Sequence, residues 1–485
     1  LYLGANMRDI VELGIGLLEK EGIEYGDVRL SQTENEVINV KNGAVESIKS
    51  GESKGYGIRV IKGGWGFASS SDFSERGMKE TIKRALKIAG ASSKISDNID
   101  LENVEIYQES YTTPYKKDPF KIPLEEKLDY LMDVDERMEI DDRIKVRKCN
   151  FNAWKTIKEF ASTEGARIEQ ELIMTGGGLG VNVSDGEDTQ KRSYPNSFGG
   201  DYNSRGYEFF EDLDLLGNAE DTAEEGVDLL EAEQCPEGEM DIILNTNQLA
   251  LQVHESCGHP TELDRALGTE ASYAGTSFLT PDKLGDFRYG SDIVNIVSDA
   301  TAEGGLGTFG YDDEGVKAKK VDLIRNGIFV GYQASREGAA KVGVEVSGNM
   351  RADGWKNLPI VRMTNINLEP GDWSKDEIVE ETEKGIIFDG IKSWSIDDKR
   401  LNFQFGTEAG YLIENGEITK LIKNPTYTGL TPEFWNNCDA IAGEEEWRLH
   451  GVPNCGKGEP PQTMQVGHGC APARFTDIRV GVGKW

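Results

Sequence analysis

His254 and His259 stand five residues apart in Val253-His254-Glu255-Ser256-Cys257-Gly258-His259-Pro260, and that spacing restricts what the segment can become. The apolar run Leu249-Ala250-Leu251 just before it leads into a helix. On a regular helix of ~3.6 residues per turn, side chains four apart share a side, whereas five apart they diverge by about 140°. Both rings reach one point only if the helix widens or stops between them. Gly258 and Pro260 favour that outcome, since glycine relaxes the backbone and the residue before proline resists the α region. The pattern draws weight from scarcity: the chain has four histidines, and two are here, beside Glu255 and Cys257. Neutral imidazoles with an adjacent carboxylate equip a zinc hydrolase, as ligands that leave a position open for water and a base to deprotonate it. The plain alternative is a helix end with two polar residues near a turn.

A third ligand is required, and spacing does not choose it. Glu262 and Asp264 offer carboxylates, Cys257, Cys455 and Cys470 offer thiolates, and His450 and His468 lie near the C-terminus. The six cysteines contain no CxxC pair and no dense framework, which suits a reducing cytoplasm where thiols are free for metal. Cys149 and Cys235 read as packing residues. Cys257, on a helix, points away from the side the histidines share and reads as a packed small side chain.

At 485 residues the chain exceeds most single cores, so two domains are expected. The break falls at Cys235-Pro236-Glu237-Gly238, giving 7–235 and 236–485. No apolar run approaches the ~18 residues of a membrane span. Leu1 to Asn6 precede Met7, the expected native start. A net charge of −33 excludes a direct nucleic-acid partner, because phosphate binding needs clustered cations.

Periodicity predicts a helix over 9–21, then strands at 27–31, 36–41, 44–50, 55–61 and 65–70, with Asn42-Gly43 as a hairpin turn. A helix through Met78 to Ile88, capped by Ser71 or Asp72, completes an α+β module with helices on one side of an antiparallel sheet. Residues 92–123 read as an irregular connection. A helix over 124–139 follows, then strands at 144–151, 156–163 and 167–175, a break at Gly176-Gly177-Gly178, and a helix over 218–233. Past the domain break, a strand at 240–244 feeds the histidine-bearing helix, capped by Asn245 or Thr246. The remainder reads as many short strands, among them 293–298, 315–324, 327–332, 360–364, 401–408, 409–414 and 417–422, with Asn326-Gly327 and Asn415-Gly416 as hairpin turns. A β-rich C-terminal domain, closed or sandwich-like, is expected to carry the metal-site helix.

Several blocks taken together carry a resemblance. They are His254–His259, Gly307-Thr308-Phe309-Gly310-Tyr311-Asp312-Asp313-Glu314-Gly315, Arg362-Met363-Thr364-Asn365 and Asn454-Cys455-Gly456-Lys457-Gly458, with Val40-Lys41-Asn42-Gly43 and Gly63-Gly64-Trp65-Gly66-Phe67-Ala68 nearer the start. In this order and spacing, from about Met7 to the end, the chain resembles the TldD/PmbA family of zinc metallopeptidases. Because His254, Glu255, His259 and Cys455 are all present, it is similar to the catalytic TldD-like branch rather than the PmbA/TldE-like branch that lacks them.

The resemblance implies Zn²⁺ held by His254, His259 and Cys455, with Glu255 as the base that activates water. It also implies a cytoplasmic peptidase of short or unfolded peptides, paired with a PmbA/TldE-like chain or with itself. His468 and Cys470 leave open which thiol binds, and four protein ligands would instead indicate a non-catalytic binding subunit with a structural metal. Asp312, Asp313 and Glu314 read as a solvated turn on their own and are implied by the resemblance to line the substrate cleft; Arg362 could bind a peptide carboxylate or pair with an acid in the structure, and Tyr311 could stabilise an oxyanion. The family has also been labelled a modulator of DNA gyrase, a link that this chain's charge makes indirect.

Overall fold

Asn42 and Gly43 both take positive φ, 49° and 71°, the turn whose twist matches that of the strands it joins. Those strands are long, Tyr25–Lys41 and Ala44–Ile61. The computed structural model describes residues 6–95 and 98–481. Where the sequence reads as two strands on each side of the turn, one runs through. The polar stretch Gln32–Asn35 stays extended because Tyr25–Lys41 is hydrogen-bonded on one side to Ala44–Ile61 and on the other to Ile144–Ser162. Ile144–Ser162 is likewise a single strand.

Arg167–Ser184 passes straight through Gly176-Gly177-Gly178, which the sequence suggests as a break. A Cβ at Gly176 would lie 2.1 Å from the Asp201 carbonyl oxygen, and one at Gly177 2.1 Å from that of Asn150. The glycines therefore mark close backbone approach within a strand. The eight-stranded sheet runs Trp65–Ser70, Ala44–Ile61, Tyr25–Lys41, Ile144–Ser162, Arg167–Ser184, Gln108–Thr112, with Thr189–Tyr194 and Asp201–Asn203 also paired to Arg167–Ser184. Gln108–Thr112, parallel to its neighbour, lies inside the segment that reads as an irregular connection.

Alternation along the strands decides what covers each face. Val28 and Leu30 pack beneath helices Met7–Leu18 and Glu75–Ser92 through Ile15, Leu18, Met78 and Ile82. Ile38 and Val40 pack beneath Leu124–Arg137 and Leu215–Glu231 through Leu131, Val134 and Ala219. Each fully buried aliphatic side chain in these clusters contributes about 1.5–3 kcal/mol. The cap of Glu75–Ser92 is Ser74, whose Oγ accepts from the Gly77 N–H at 3.0 Å, while Asp72 accepts from Ser74 N–H. The opposite face of the sheet carries Arg29 and Arg59, which pair with Asp313 at 3.2 Å and Glu314 at 3.3 Å from the C-terminal half.

In that half, five strands close on themselves: Lys384–Ile396, Gly238–Leu244, Ala473–Val480, Thr426–Leu430 and Asn402–Glu414, the last pairing back to the first. Phe403, Tyr427, Phe434 and Phe475 pack against one another in the core beneath them. Asn326-Gly327 and Asn415-Gly416 take positive φ as hairpin turns do. Short helices at Arg336–Val342, Lys375–Glu380 and Thr431–Asn436 interrupt the run that reads as strands and turns alone. No helix among the described residues is long and apolar enough to cross a membrane.

Candidate metal centre

The strand Gly238–Leu244 feeds the helix Thr246–Val253, whose Gln248 to Val253 are all buried. Asn245 stands at the helix start but makes no side-chain cap; its amide donates to Asp389 Oδ1 at 2.7 Å. At His254 the helix widens into a π-turn over His254–Gly258, closed by the His259 N–H donating to the His254 carbonyl, and a 3₁₀ turn follows at His259–Thr261. An i→i+5 bond stacks residue 259 over residue 254, which resolves the five-residue spacing.

Widening displaces carbonyls from their usual partners, and side chains satisfy them. The Tyr289 hydroxyl donates to Ser256 O at 3.0 Å, Thr261 Oγ1 to Cys257 O at 2.8 Å, and Gln333 Nε2 to Gly258 O at 2.7 Å. A Cβ at Gly258 would meet Met363 Sδ at 2.3 Å, so the turn is closed to larger residues. Cys257 faces the core, where burial pushes its thiol up.

Cys455 arrives from the strand Arg448–Lys457, paired with Gln462–Cys470 as a C-terminal hairpin. The register shifts between Val452 and Cys455, and such bulges re-aim side chains. Cys455 Sγ lies 3.6 Å from His254 Nε2 and 4.0 Å from His259 Nε2. A tetrahedral zinc with ~2.3 Å sulfur and ~2.0 Å nitrogen bonds sets S and N about 3.6 Å apart. The donor set and its spacing fit a metal ion, and the three ligand atoms lie within 4.8 Å of one another. No fourth protein donor joins them among the described residues.

Hydrogen bonds at Nδ1 orient each imidazole. His468 Nδ1 lies 3.3 Å from the Ile366 carbonyl, which only accepts, so that nitrogen carries the proton. Burial holds His468 well below the ordinary histidine pKa, so the ring is neutral and its Nε2 accepts. His254 Nδ1, 2.7 Å away, then donates, leaving the Nε2 lone pair for a metal. Glu262 Oε2 accepts from His259 Nδ1 at 2.9 Å with the same consequence. Burial and the nearby Arg400 charge keep His259 well below its usual pKa. His254 and Cys455 favour each other's charged forms: burial lowers His254, but Cys455 outweighs it and the net shift is upward, while burial raises the Cys455 thiol, but His254 and Arg362 outweigh it and the net shift is downward.

His468 is thus a support for His254, and the Cys470 thiol donates to Thr246 O at 3.2 Å. Arg362 is fully buried and donates to the carbonyls of Cys455 at 2.6 Å and Gln462 at 3.2 Å. Asp313 engages Arg29 and Lys158, and Asp312 accepts backbone N–H groups of Glu314, Val316 and Met350. Both aspartates line a different cleft, of about 410 Å³, together with Tyr311, whose hydroxyl pairs with Glu109. The structure therefore gathers His254, His259, Cys455 and Glu255, and does not bring Asp312, Asp313 or Tyr311 to them.

Two charged features escape the sequence. Lys457 Nζ is fully buried and lies 2.7 Å from Asp264, 3.3 Å from Glu262 and 3.3 Å from Glu270, tying the Cys455 strand to the segment after His259. Arg400 pairs with Glu255 at the mouth of a cleft of about 450 Å³, also lined by Phe198, Trp394, Ile396 and Asn454. Nothing local marks Arg400, since its partner is 145 residues away in sequence.

Models of one metallopeptidase family match the chain in three segments: PmbA/TldA metallopeptidase domain 1 over 26–89, the central domain over 117–231 and the C-terminal domain over 237–482. A metalloprotease of Methanocaldococcus jannaschii is 34% identical over 449 residues, 92% of this chain and 95% of that protein. A zinc metalloprotease TldD homolog of Saccharolobus solfataricus is 26% identical over 480 residues, 96% of this chain and 98% of the relative. The solved structure of TldE from Thermococcus kodakarensis shares the fold at a TM-score of 0.71 and 17% identity, covering 99% of this chain and 100% of its own. Full-length coverage and the histidine–cysteine cluster lead to one assignment. This chain belongs to the TldD/PmbA family of metallopeptidases.

Proposed function

We propose that this metallopeptidase is zinc-dependent and that Glu255 is its general base, acting on short or unfolded peptides. The observation that carries the reading is the three-donor cluster with Glu255 beside it, open to a cleft. A bound metal supplies Lewis acidity there and brings the pKa of water toward ~7. A thiolate with two imidazoles favours zinc among the common divalent ions. Glu255 takes the proton of the attacking water and hands it to the leaving amine. With a metal bound, His254 and His259 would both be neutral and held in orientation by His468 and Glu262, and the charge of the donor set would reside on Cys455.

The cleft restricts access by size, which suits extended peptides over folded proteins. Its apolar lining of Phe198, Trp394 and Ile396 offers contact to side chains while leaving sequence tolerance broad. The partner we propose is a TldE-like chain or a second copy; the shared fold with the Thermococcus kodakarensis TldE supports the former.

Metal content and hydrolysis test the reading together. Wild type is expected to bind one zinc per chain, Cys455→Ser to lose it and Cys470→Ser to keep it. Glu255→Gln should retain zinc while peptide hydrolysis falls by about 10²–10⁴-fold. Undiminished hydrolysis by Glu255→Gln, or full metal retention by Cys455→Ser, would refute the site as described.

A further inference from the structure

We propose that Arg400 is a catalytic residue, the donor that stabilises the negative charge developing on the carbonyl oxygen of the scissile peptide. This rests on the peptidase reading above. Arg400 sits at the tip between Lys384–Ile396 and Asn402–Glu414 with φ of 65°, a left-handed conformation uncommon for a side chain of its size. Such a conformation persists only where the surroundings over-determine it.

Here they do. Asp397 accepts from the N–H groups of Lys399, Leu401 and Asn402 at 3.1, 2.9 and 3.2 Å. The carbonyls of Asp398 and Lys399 accept from Thr276 and Phe278 at 2.9 and 3.0 Å, and that of Arg400 from the Thr431 hydroxyl at 2.9 Å. The tip is pinned on two sides, and the result is a guanidinium delivered to the metal cleft.

The division of its donors indicates the role. Nη1 goes to Glu255 Oε2, Nε is buried without a partner, and no hydrogen bond reaches Nη2 among the described residues. Glu255 Oε1 is equally free of hydrogen bonds among them, so the carboxylate keeps one oxygen for the water proton. A structural ion pair would spend both groups on each other. This arrangement instead leaves one acceptor and one charged donor without a protein partner among the described residues, on two side chains that line the cleft.

In the reaction, the water oxygen bonds to the carbonyl carbon, the C=O π pair moves onto oxygen, and the proton goes to Glu255. Arg400 Nη2 donates to that oxygen as its charge grows. The C–N bond then breaks as the proton passes from Glu255 to nitrogen, giving a carboxylic acid and an amine, and the acid's proton moves to the amine to leave a carboxylate and an ammonium. A donor placed for the charged state acts more on the transition state than on bound substrate.

The test compares wild type with Arg400→Asn, whose side chain tolerates the left-handed backbone, and Arg400→Lys, which keeps charge without the fork. Each zinc-loaded protein is titrated calorimetrically with two probes: a tripeptide phosphonate, tetrahedral and anionic, and the matching reduced-amide peptide, which lacks the carbonyl. Arg400→Asn should weaken phosphonate binding about 10²-fold while the reduced amide changes less than about threefold, and kcat should fall about 10²–10³-fold with KM nearly constant. Arg400→Lys should fall between. Zinc content should not change.

Equal loss of both probes would reduce Arg400 to a wall of the cleft, and unchanged phosphonate affinity would remove it from the reaction. If wild type hydrolyses no peptide, the peptidase reading fails on that count alone, while the two-probe comparison still judges Arg400.

Discussion

Replacing His468 by leucine tests the hydrogen bond that orients His254, because it keeps a comparable apolar volume while deleting the acceptor for His254 together with the weaker donor to the Ile366 carbonyl. The His254 Nδ1–His468 Nε2 bond is 2.7 Å and buried. Leaving one buried N–H unpaired costs about 1–3 kcal/mol. It also releases the tautomer constraint, so part of the population presents a protonated Nε2 to the metal. Loss of such an outer partner lowers metal affinity about 10- to 100-fold. His468→Gln, whose amide oxygen still accepts, should lose less than about fivefold, since one hydrogen bond is replaced by a weaker one. Competition with a chromophoric zinc chelator at fixed pH gives both affinities, with thermal melts of the metal-free proteins as a folding control. Leucine and glutamine variants of equal affinity would refute this orienting role. Complete loss of zinc at stoichiometric metal in both would instead make His468 a ligand.

Three other expectations follow from packing and charge. Lys457→Met leaves the buried Glu262 and Glu270 with Arg265 as their remaining cation and the half-buried Asp264 without its ammonium partner, and breaking such a buried cluster costs about 3–5 kcal/mol, measurable by urea unfolding. Gly177→Ala drives a Cβ to 2.1 Å from the Asn150 carbonyl and should cost at least about 1–3 kcal/mol, read as a lowered Tm. Glu159 is pushed up to about 7 by burial and by Glu169, which stands opposite it on the next strand. Its folded pKa lies above the unfolded value of ~4.3, so the native state binds the extra proton and stability falls as pH rises between those values. Glu159→Gln should therefore gain about 1–2 kcal/mol at pH 8, after discounting for solvent screening, and nothing at pH 4; a gain independent of pH would show that the charge is not the cause.

Local chemistry was legible wherever it decides the outcome locally. The three Asn-Gly turns declare themselves because few residue pairs accept two positive φ values in succession. The His254–His259 spacing, flanked by Gly258 and Pro260, demanded a widened or terminated helix, and the π-turn supplies it. Tertiary effects hid the rest. Gln32–Asn35 looks like a strand break but is held by strands on both sides, and the glycines at 176–178 look like a loop but admit neighbouring backbone. His468, Lys457 and Arg400 act on residues 145 to 214 positions away, where no spacing rule reaches. Asp312 and Asp313 read as substrate-site residues from the family blocks; the structure places them in a cleft whose lining differs from that of the His254 cleft, with Asp313 also at the junction between the two halves.

The C-terminal hairpin has a consequence for timing. The two histidines emerge at mid-chain, but their thiol partner and the residue that orients His254 are Cys455 and His468, about 200 residues later in synthesis. A ribosome-bound chain that already holds His254, Glu255 and His259 lacks the complete site until this hairpin docks. On the proposed function, hydrolytic capacity would be withheld until this hairpin exists, and a chain truncated before it would be an inert protein rather than an uncontrolled protease.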